Sequence, residues 1–298
     1  MLPRSLLGAS ARMPFSALAR RWLSMTPAER DQKTYELTMQ GHNLLDGPEP
    51  GKALKFYSEA VSINTAEEGN ETQYLVDQKE MASLLVNRGI ANVRCELWSN
   101  ARKDGLRALQ LDYENIDAHL VAGWALMKQE QYDDAEYHLQ KASSLPMSKS
   151  LLSECLLLSA NHQIHTADDL NRKQIMKKVI RQMDRALKLT PENAWLFATR
   201  ATARLHAATS VENEEAHMLR VMSDCDEALA RQSDCLQALM TRAVACFALA
   251  RYDEALANAN EILSHDPQNY DALDFIRTVR THRQKEQDKK EAAQRQLE

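Results

Sequence analysis

Glycine is scarce in this sequence of 298 residues: there are eight, and none follows Gly123. A loop that binds a nucleotide phosphate through its backbone amides needs several closely spaced glycines. Neither G-x-x-x-x-G-K nor G-x-G-x-x-G occurs, so nucleotide binding through these motifs is excluded. Aromatic residues make up only 6% of the chain. Few aromatics and few glycines suit helices better than sheets.

Cysteine is also rare, and long apolar runs are missing. The five cysteines are odd in number and form no C-x-x-C pair. This pattern indicates reduced thiols in a reducing compartment rather than a disulfide framework or a zinc site. The longest nearly apolar segment, Leu151 to Leu158, is interrupted by Ser153 and Glu154. It is far too short for a membrane-spanning helix.

Catalytic and metal-binding motifs are absent as well. The sequence contains no H-E-x-x-H and no G-x-S-x-G, and its nine scattered histidines offer no obvious dyad. His162 and His165, followed by Asp168 and Asp169, could be read as a metal set, and the first three of them as the site of an enzyme hidden in the fourth repeat. Zinc needs three or four converging ligands, and these side chains lie across a predicted helix end. We therefore expect a solvated helix terminus there, with no cofactor, no metal and no enzymatic activity.

A unit of two helices and a turn is present between Ile116 and Pro146. The first helix has small residues at Ala122 and Gly123, which allow a second helix to lie close against it. The polar segment from Gln129 to Asp133 predicts a chain reversal. The second helix then presents small and apolar residues on one face, at spacings of four and three: Ala135, Leu139 and Ala142.

The same unit recurs along the chain with insertions. Small or apolar residues of the second helices recur at intervals of 48, 34, 44, 42 and 34 residues: Ala60, Ala108, Ala142, Ala186, Ala228 and Ile262. The small residue of the first helix recurs as Gly41, Gly89, Gly123, Ala201 and Ala243. An arginine precedes it in three copies, Arg88, Arg200 and Arg242. We interpret these arginines as bridges between adjacent helices and not as a site.

Residues from about 30 to 280 therefore resemble the tetratricopeptide repeat family, whose unit is 34 residues long. The resemblance implies an all-α fold: a right-handed α-solenoid of about six helix-turn-helix repeats and a C-terminal capping helix. The predicted repeats span about 31–64, 72–112, 116–146, 148–190, 193–231 and 236–267, and the capping helix and charged tail span 269–298. We expect the insertion after the first repeat to extend the next first helix, Thr72 to Arg94. Pro146, Pro191 and Pro267 are expected to stop second helices.

In this family the first helices line a concave groove, and the resemblance implies which side chains face it. The candidate groove residues are Val86, Asn87, Ile90, Val93, Leu120, Trp124, Met127, Met240, Val244 and Phe247. The groove would be centred on Ile90, Trp124 and Met127, and could receive an amphipathic helix or an extended apolar segment of a partner. Two alternatives stay open: these side chains could fill the interior, or the C-terminal helix could cover them.

The first three repeats resemble those of co-chaperones, which bind the C-terminal tails of heat-shock chaperones through a carboxylate clamp of lysines, asparagines and an arginine. The five clamp positions here read Thr38, His42, Asn87, Asp117 and Val121, so only Asn87 matches. The missing cations remove charge-assisted bonds to a terminal carboxylate, and Asp117 would repel it. Binding of chaperone tails is therefore disfavoured.

Residues 1–28 carry four arginines and no acidic residue, a composition typical of a mitochondrial transit peptide. The order Arg21-Trp22-Leu23-Ser24 predicts cleavage after Leu23. The alternatives are a disordered basic tail or translation from Met25, which would give a cytosolic form. Without this segment, 33 basic residues face 42 acidic ones, a formal charge of −9. An acidic body repels phosphate backbones, so nucleic acid is not an expected partner.

Together these features predict a non-enzymatic scaffold, adaptor or assembly factor for another protein, in the mitochondrial matrix. The alternative is a cytosolic co-chaperone with a degenerate clamp. The repeat pattern does not identify the partner, because its motif is structural.

Overall fold

The computed structural model describes residues 25–68, 71–207 and 214–297. Within these ranges it contains thirteen α-helices and one short β-hairpin, and the predicted all-α fold is confirmed. Residues 1–24 lie outside the described ranges, and with them most of the predicted transit segment and its cleavage site after Leu23.

The chain divides into two compact units between Ser148 and Lys149. The first unit contains α1 (Pro27–Leu45), α2 (Pro50–Ile63), β1 (Thr65–Glu68), β2 (Glu71–Tyr74), α3 (Gln78–Arg94), α4 (Trp98–Leu111), α5 (Ile116–Lys128) and α6 (Tyr132–Lys141). The second contains α7 (Pro146–Thr166), which begins just before the boundary, α8 (Arg172–Leu189), α9 (Ala194–Ala207), α10 (Glu214–Arg231), α11 (Leu236–Ala248), α12 (Tyr252–His265) and α13 (Tyr270–Leu297). None of the described helices is both long enough and apolar enough to cross a lipid bilayer.

Consecutive helices pack against each other as hairpins within each unit. In the first unit α1 packs on α2, α3 on α4 and α5 on α6, and in the second α9 packs on α10 and α11 on α12. Neighbouring hairpins also touch through their first helices, since α3 contacts α1 and α5, and α9 contacts α11. This arrangement gives each unit a layer of first helices beside a layer of second helices.

The recurring second-helix residues are buried, and glycines lie at close contacts between helices. All six recurring second-helix residues are buried: Ala60, Ala108, Ala142, Ala186, Ala228 and Ile262. A Cβ added at Gly123 would lie 2.8 Å from Leu139 Cγ, and one added at Gly105 would lie 2.9 Å from the backbone nitrogen of Ala122. These contacts leave no room for a side chain, so helix separation is set by residue size.

Three hairpins of the fold turn in the same way. The second residue after the end of the first helix has a positive φ in each case: Glu96 (57°), Glu130 (62°) and Ala250 (56°). The next residue donates its backbone N–H back across the helix end: Leu97 to Asn92 O (2.8 Å), Gln131 to Leu126 O (3.0 Å) and Arg251 to Cys246 O (2.9 Å). This is the Schellman pattern, which ends a helix by satisfying its last carbonyl groups. Each turn therefore fixes where the second helix starts.

The predicted helical extension from Thr72 is wrong. Residues Thr65–Glu68 and Glu71–Tyr74 pair as an antiparallel hairpin, and α3 begins only at Gln78. Asp77 starts this helix, because its carboxylate accepts the backbone N–H groups of Lys79 and Glu80, both at 2.9 Å. The sequence signal for a hairpin was the Gly69-Asn70 pair between segments with threonine and tyrosine.

Pro146 does not stop a second helix as expected. Helix α6 already ends at Lys141, and Pro146 is the first residue of α7. Proline suits this position because the first helical residue needs no N–H donor and has a φ close to that of proline. Pro191 and Pro267 do follow the ends of α8 and α12, each by two residues.

The contact between α4 and α5 makes a testable prediction. We expect Gly105→Ala to destabilise the protein by about 1–3 kcal/mol, since the new methyl group meets backbone atoms that cannot move aside cheaply. Gly51→Ala is the matched control, because a Cβ added at Gly51 would lie more than 4 Å from every atom beyond its own helical turn. The control should be neutral or stabilising by up to ~1 kcal/mol, as alanine is the better helix former. Urea denaturation measures both variants, and equal effects would contradict this packing.

Candidate functional site

The candidate groove residues that are partly accessible in the first unit lie on α3 and α5. Asn87 and Ile90 are three residues apart on α3, and Leu120 and Trp124 are four apart on α5, so each pair shares a side of its helix. All four side chains are half-buried. Ile90 and Trp124 rest against the core of this unit and still reach its surface. We call these four residues the first-helix face.

Three other predicted groove residues are core residues, and the expectation that they are exposed is wrong. Val86 and Val93 are each 5% exposed and Met127 is 1% exposed. Val86 and Val93 are seven residues apart on α3 and belong to the same buried cluster. A period of seven places them on one side of the helix, and that side faces the core. These side chains cannot touch a partner in this conformation.

Trp124 combines an accessible ring with a shielded polar atom. Its Nε1 is buried, and within the described part of the chain it has no hydrogen-bond acceptor. A buried donor without an acceptor costs about 1–3 kcal/mol. The indole is therefore held by the apolar contacts of its ring and not by a hydrogen bond.

The second unit holds the remaining candidates, Met240, Val244 and Phe247, on α11. All three are half-buried. The Phe247 ring contacts Phe275 and His282 of α13, with ring centroids 6.0 and 5.2 Å apart. The last helix therefore covers Phe247, as one of the two alternatives had suggested for groove residues.

The five residues that were compared with the carboxylate clamp include no lysine or arginine. The Thr38 hydroxyl is buried with no partner in the described ranges, and His42 is exposed with its ring edge-on to Tyr57. Asp117 is exposed, whereas Val121 is buried and its Cγ1 fills the space beside Gly89. A carboxylate terminus would meet a carboxylate and an alkyl side chain here instead of ammonium or guanidinium groups.

The acidic residues considered as metal ligands act at a helix end. Asp168 accepts the backbone N–H of Asn171 at 2.8 Å, and Asp169 pairs with Arg172 at 3.3 Å. Among the residues that the structure describes, no three His, Cys, Asp or Glu side chains are grouped so that they could hold a metal ion.

The structure brings together one histidine pair that the sequence did not predict. His119 on α5 and His138 on α6 lie with their Nδ1 atoms 2.9 Å apart, and His119 Nε2 is 3.1 Å from the carbonyl oxygen of Tyr113. Because a carbonyl can only accept, Nε2 of His119 donates, and its Nδ1 accepts the N–H of His138. This arrangement requires a neutral His119, and it cannot form when both imidazoles are protonated, because neither Nδ1 could then accept.

Burial lowers the pKa of both imidazoles. For His119 desolvation is the largest cause, and Lys141 lowers the pKa further, although the Tyr113 carbonyl opposes both. For His138 desolvation again dominates and the neighbouring His119 adds to it, while Asp134 opposes them. The pair could have been suspected from the sequence, since each histidine stands four residues before a recurring small residue, Gly123 or Ala142.

The lowered pKa values predict acid sensitivity. The unfolded chain binds protons on these imidazoles at a higher pH, near 6.5, than the folded chain does. The contribution of the two histidines to the free energy of unfolding is therefore complete above pH ~6.5. It is lost as the pH falls from there through the pKa values of the folded state. We expect the thermal midpoint, measured by circular dichroism, to fall between pH 7.5 and 5.

His138→Gln keeps an N–H donor for His119 and removes one titrating group, so its midpoint should fall less steeply with pH. His265→Gln, at an exposed position, is the control and should follow the unmodified protein. A profile for His138→Gln as steep as that of the unmodified protein would contradict the assignment.

No protein-family model matches the chain. Among solved structures, PilF of Pseudomonas aeruginosa aligns with a TM-score of 0.52 at 13% identity, covering 83% of this chain and 98% of its own. YrrB, described as a TPR protein with an unusual peptide-binding site, aligns with a TM-score of 0.47 at 16% identity, covering 65% and 91%. The Arabidopsis OM64 TPR domain aligns with a TM-score of 0.36 at 25% identity, covering 44% and 95%. At these identities, the PilF likeness establishes the fold alone: an all-α stack of helical hairpins.

Proposed function

We propose that this protein is a non-enzymatic scaffold, adaptor or assembly factor that binds a segment of another protein on its first-helix face. The observation that carries the proposal is that two adjacent first helices carry three half-buried apolar side chains, Ile90 on α3 and Leu120 and Trp124 on α5. Large apolar and aromatic side chains that keep some exposure are typical anchors of protein interfaces. The likeness to PilF establishes the fold and gives no information about the chemistry of this face. The proposal therefore depends on these side chains.

The chemistry of this face favours an apolar or amphipathic segment. Its polar member, Asn87, can hydrogen-bond a peptide backbone through its side-chain amide. None of the clamp positions supplies a lysine or an arginine for a charged terminus. A heat-shock chaperone tail is the less suitable ligand, because Asp117 faces solvent where the clamp needs a positive charge.

A structural role also accounts for the histidine pair. His119 is 3% exposed, and both of its ring nitrogens are occupied by His138 and the Tyr113 carbonyl. A general base must reach a substrate proton directly or through one water molecule. The pair is therefore better suited to holding α5 against α6 than to catalysis.

We further propose that the protein acts in the mitochondrial matrix after removal of a transit peptide. The basic segment 1–28 supports this, and so does the start of the first helix. Thr26 and Glu29 form a capping box at the N-terminus of α1. Cleavage after Leu23 would leave this cap intact, with Ser24 as the new N-terminus.

Localisation is tested by fusing residues 1–30 to a fluorescent reporter. We expect mitochondrial fluorescence and a processed reporter whose N-terminal residue is Ser24. Substituting Arg20 and Arg21 by glutamine should reduce import, since the positive charges respond to the negative-inside potential. A diffuse cytosolic signal from the unmodified fusion would contradict the mitochondrial location.

The first-helix face is tested by Leu120→Gln in the full chain, with Leu106→Gln as the matched control. Leu106 is 37% exposed and lies on the second helix α4, so the two variants differ mainly in the face they alter. After affinity purification from isolated mitochondria, we expect partners held by the unmodified protein to be kept by Leu106→Gln and lost from Leu120→Gln. Thermal midpoints should show that both variants are folded.

Two outcomes would oppose this function. Partners retained by folded Leu120→Gln would show that the first-helix face is not the binding surface. Binding of a heat-shock tail peptide with a Kd near or below ~1 μM would favour the cytosolic co-chaperone instead.

A further inference from the structure

The arginine that precedes the small residue of a first helix connects two second helices in the second unit. Arg200 Nε and Nη2 donate to the two carboxylate oxygens of Asp224 on α10, at 3.0 and 2.7 Å. Its Nη1 donates to Asp184 on α8 at 2.7 Å. One guanidinium thus holds one carboxylate from its own hairpin and another from the preceding hairpin.

Arg242 repeats the arrangement with a weaker geometry. Its Nη1 donates to Asn258 on α12 at 3.1 Å. Asp226 of the preceding hairpin lies 2.9 Å from Nε, an ion pair whose angles do not make it a hydrogen bond. The acidic positions of the preceding hairpin, Asp184 and Asp226, each stand two residues before a recurring alanine, Ala186 or Ala228.

Arg88 in the first unit reproduces only half of this pattern. Its Nε and Nη2 donate to the two oxygens of Asp104, at 2.9 and 2.5 Å, as Arg200 does with Asp224. Asn92 Nδ2 donates to the same carboxylate at 2.9 Å. The position equivalent to Asp184 is two residues before Ala60 and is occupied by Ser58. Within the described ranges, Nη1 of Arg88 has no hydrogen-bond or ion-pair partner.

Beside Ser58, where the second unit has the Asp184 carboxylate, there is a pocket of about 330 Å³. Its polar lining consists of Ser58, Arg88, Asn92, Asn100, Lys103 and Asp104. Two cations and one carboxylate give this lining a net charge of +1. Lys103 makes no ion pair with any residue that the structure describes. The pocket therefore contains a guanidinium with an unused donor, an ammonium group, two amides and a hydroxyl.

We propose that this pocket binds a carboxylate from an acidic side chain of a partner protein, which takes the place that Asp184 takes beside Arg200. Arg88 Nη1 and Lys103 would hold the carboxylate by charge-assisted hydrogen bonds, with Ser58 and Asn100 as neutral donors. Asp104 keeps the guanidinium in place, so the arginine is positioned before the ligand arrives. The site uses none of the first-helix face and does not depend on the function proposed above.

The test follows the arginine side-chain signals of the ¹⁵N-arginine-labelled full chain by NMR, with Arg88→Lys to assign the Arg88 signal. The probe is aspartate capped at both ends, titrated at an ionic strength kept constant with sodium chloride. We expect a saturable shift of the Arg88 signal, with the Arg200 and Arg242 signals unchanged. Absence of the shift, or equal shifts at all three arginines, would overturn the proposal. Stronger binding of succinate or inorganic phosphate would also overturn it, because the ligand would then be a small anion and not a side chain.

Two variants of matched size separate charge from shape. Ser58→Asp supplies the missing carboxylate within the chain, so the response to capped aspartate should disappear and the thermal midpoint should exceed that of Ser58→Asn. Ser58→Asn should still respond. Lys103→Gln is a second, independent test that leaves Asp104 and Arg88 in place. It should reduce the shift of the Arg88 signal caused by capped aspartate. A full response in both Ser58→Asp and Lys103→Gln would overturn the assignment of this pocket.

Discussion

The fold depends on close contact between helices at residues too small to keep them apart. Where Gly105 meets the backbone of Ala122, or Gly123 meets Leu139, the helices approach until main chain or a single side chain fills the interface. Packing at this distance is specific, because an added methyl group requires the backbone to shift. It also fixes the register of α4 on α5 and of α5 on α6, since the small residues must lie opposite the atoms that they contact. The polar contacts between hairpins depend on this register.

The sequence was informative about these contacts because their residue types are constrained. Small residues recurring at intervals of 34 to 48 residues predicted the helical hairpins, and the six second-helix residues are buried as that pattern requires. The short hairpin of β1 and β2 was missed because an insertion between repeats is free of the packing constraint, so local turn residues decide its structure. The proline at Pro146 was misassigned for a related reason: proline is compatible with both the end of one helix and the first turn of the next.

Side-chain exposure on the first helices was harder to predict. Such a helix contacts the second helix of its own hairpin, the second helix before it and the neighbouring first helix, so apolar residues occur on several of its sides. Hydrophobic periodicity then cannot separate half-buried residues such as Ile90 from core residues such as Val86, because both are apolar and only the helix orientation distinguishes them. The same limit applies to His119 and His138. The two imidazoles come into contact only in one register of α5 on α6. The small residues determine this register, but it cannot be read from the sequence alone.

One helix carries both proposed binding surfaces, on different sides. At 100° per residue, Arg88 and Asn92 share a side of α3, and Ile90 points away from both. The body of the protein is acidic, so a lining of charge +1 around Arg88 attracts a carboxylate only over a short range, within about 10 Å at moderate salt. A strongly acidic partner would be repelled before it reached the pocket. The ligand that fits best is therefore a single acidic residue within a segment that is otherwise neutral or basic. Such a segment forms the ion pair in the pocket without long-range electrostatic repulsion from the acidic protein.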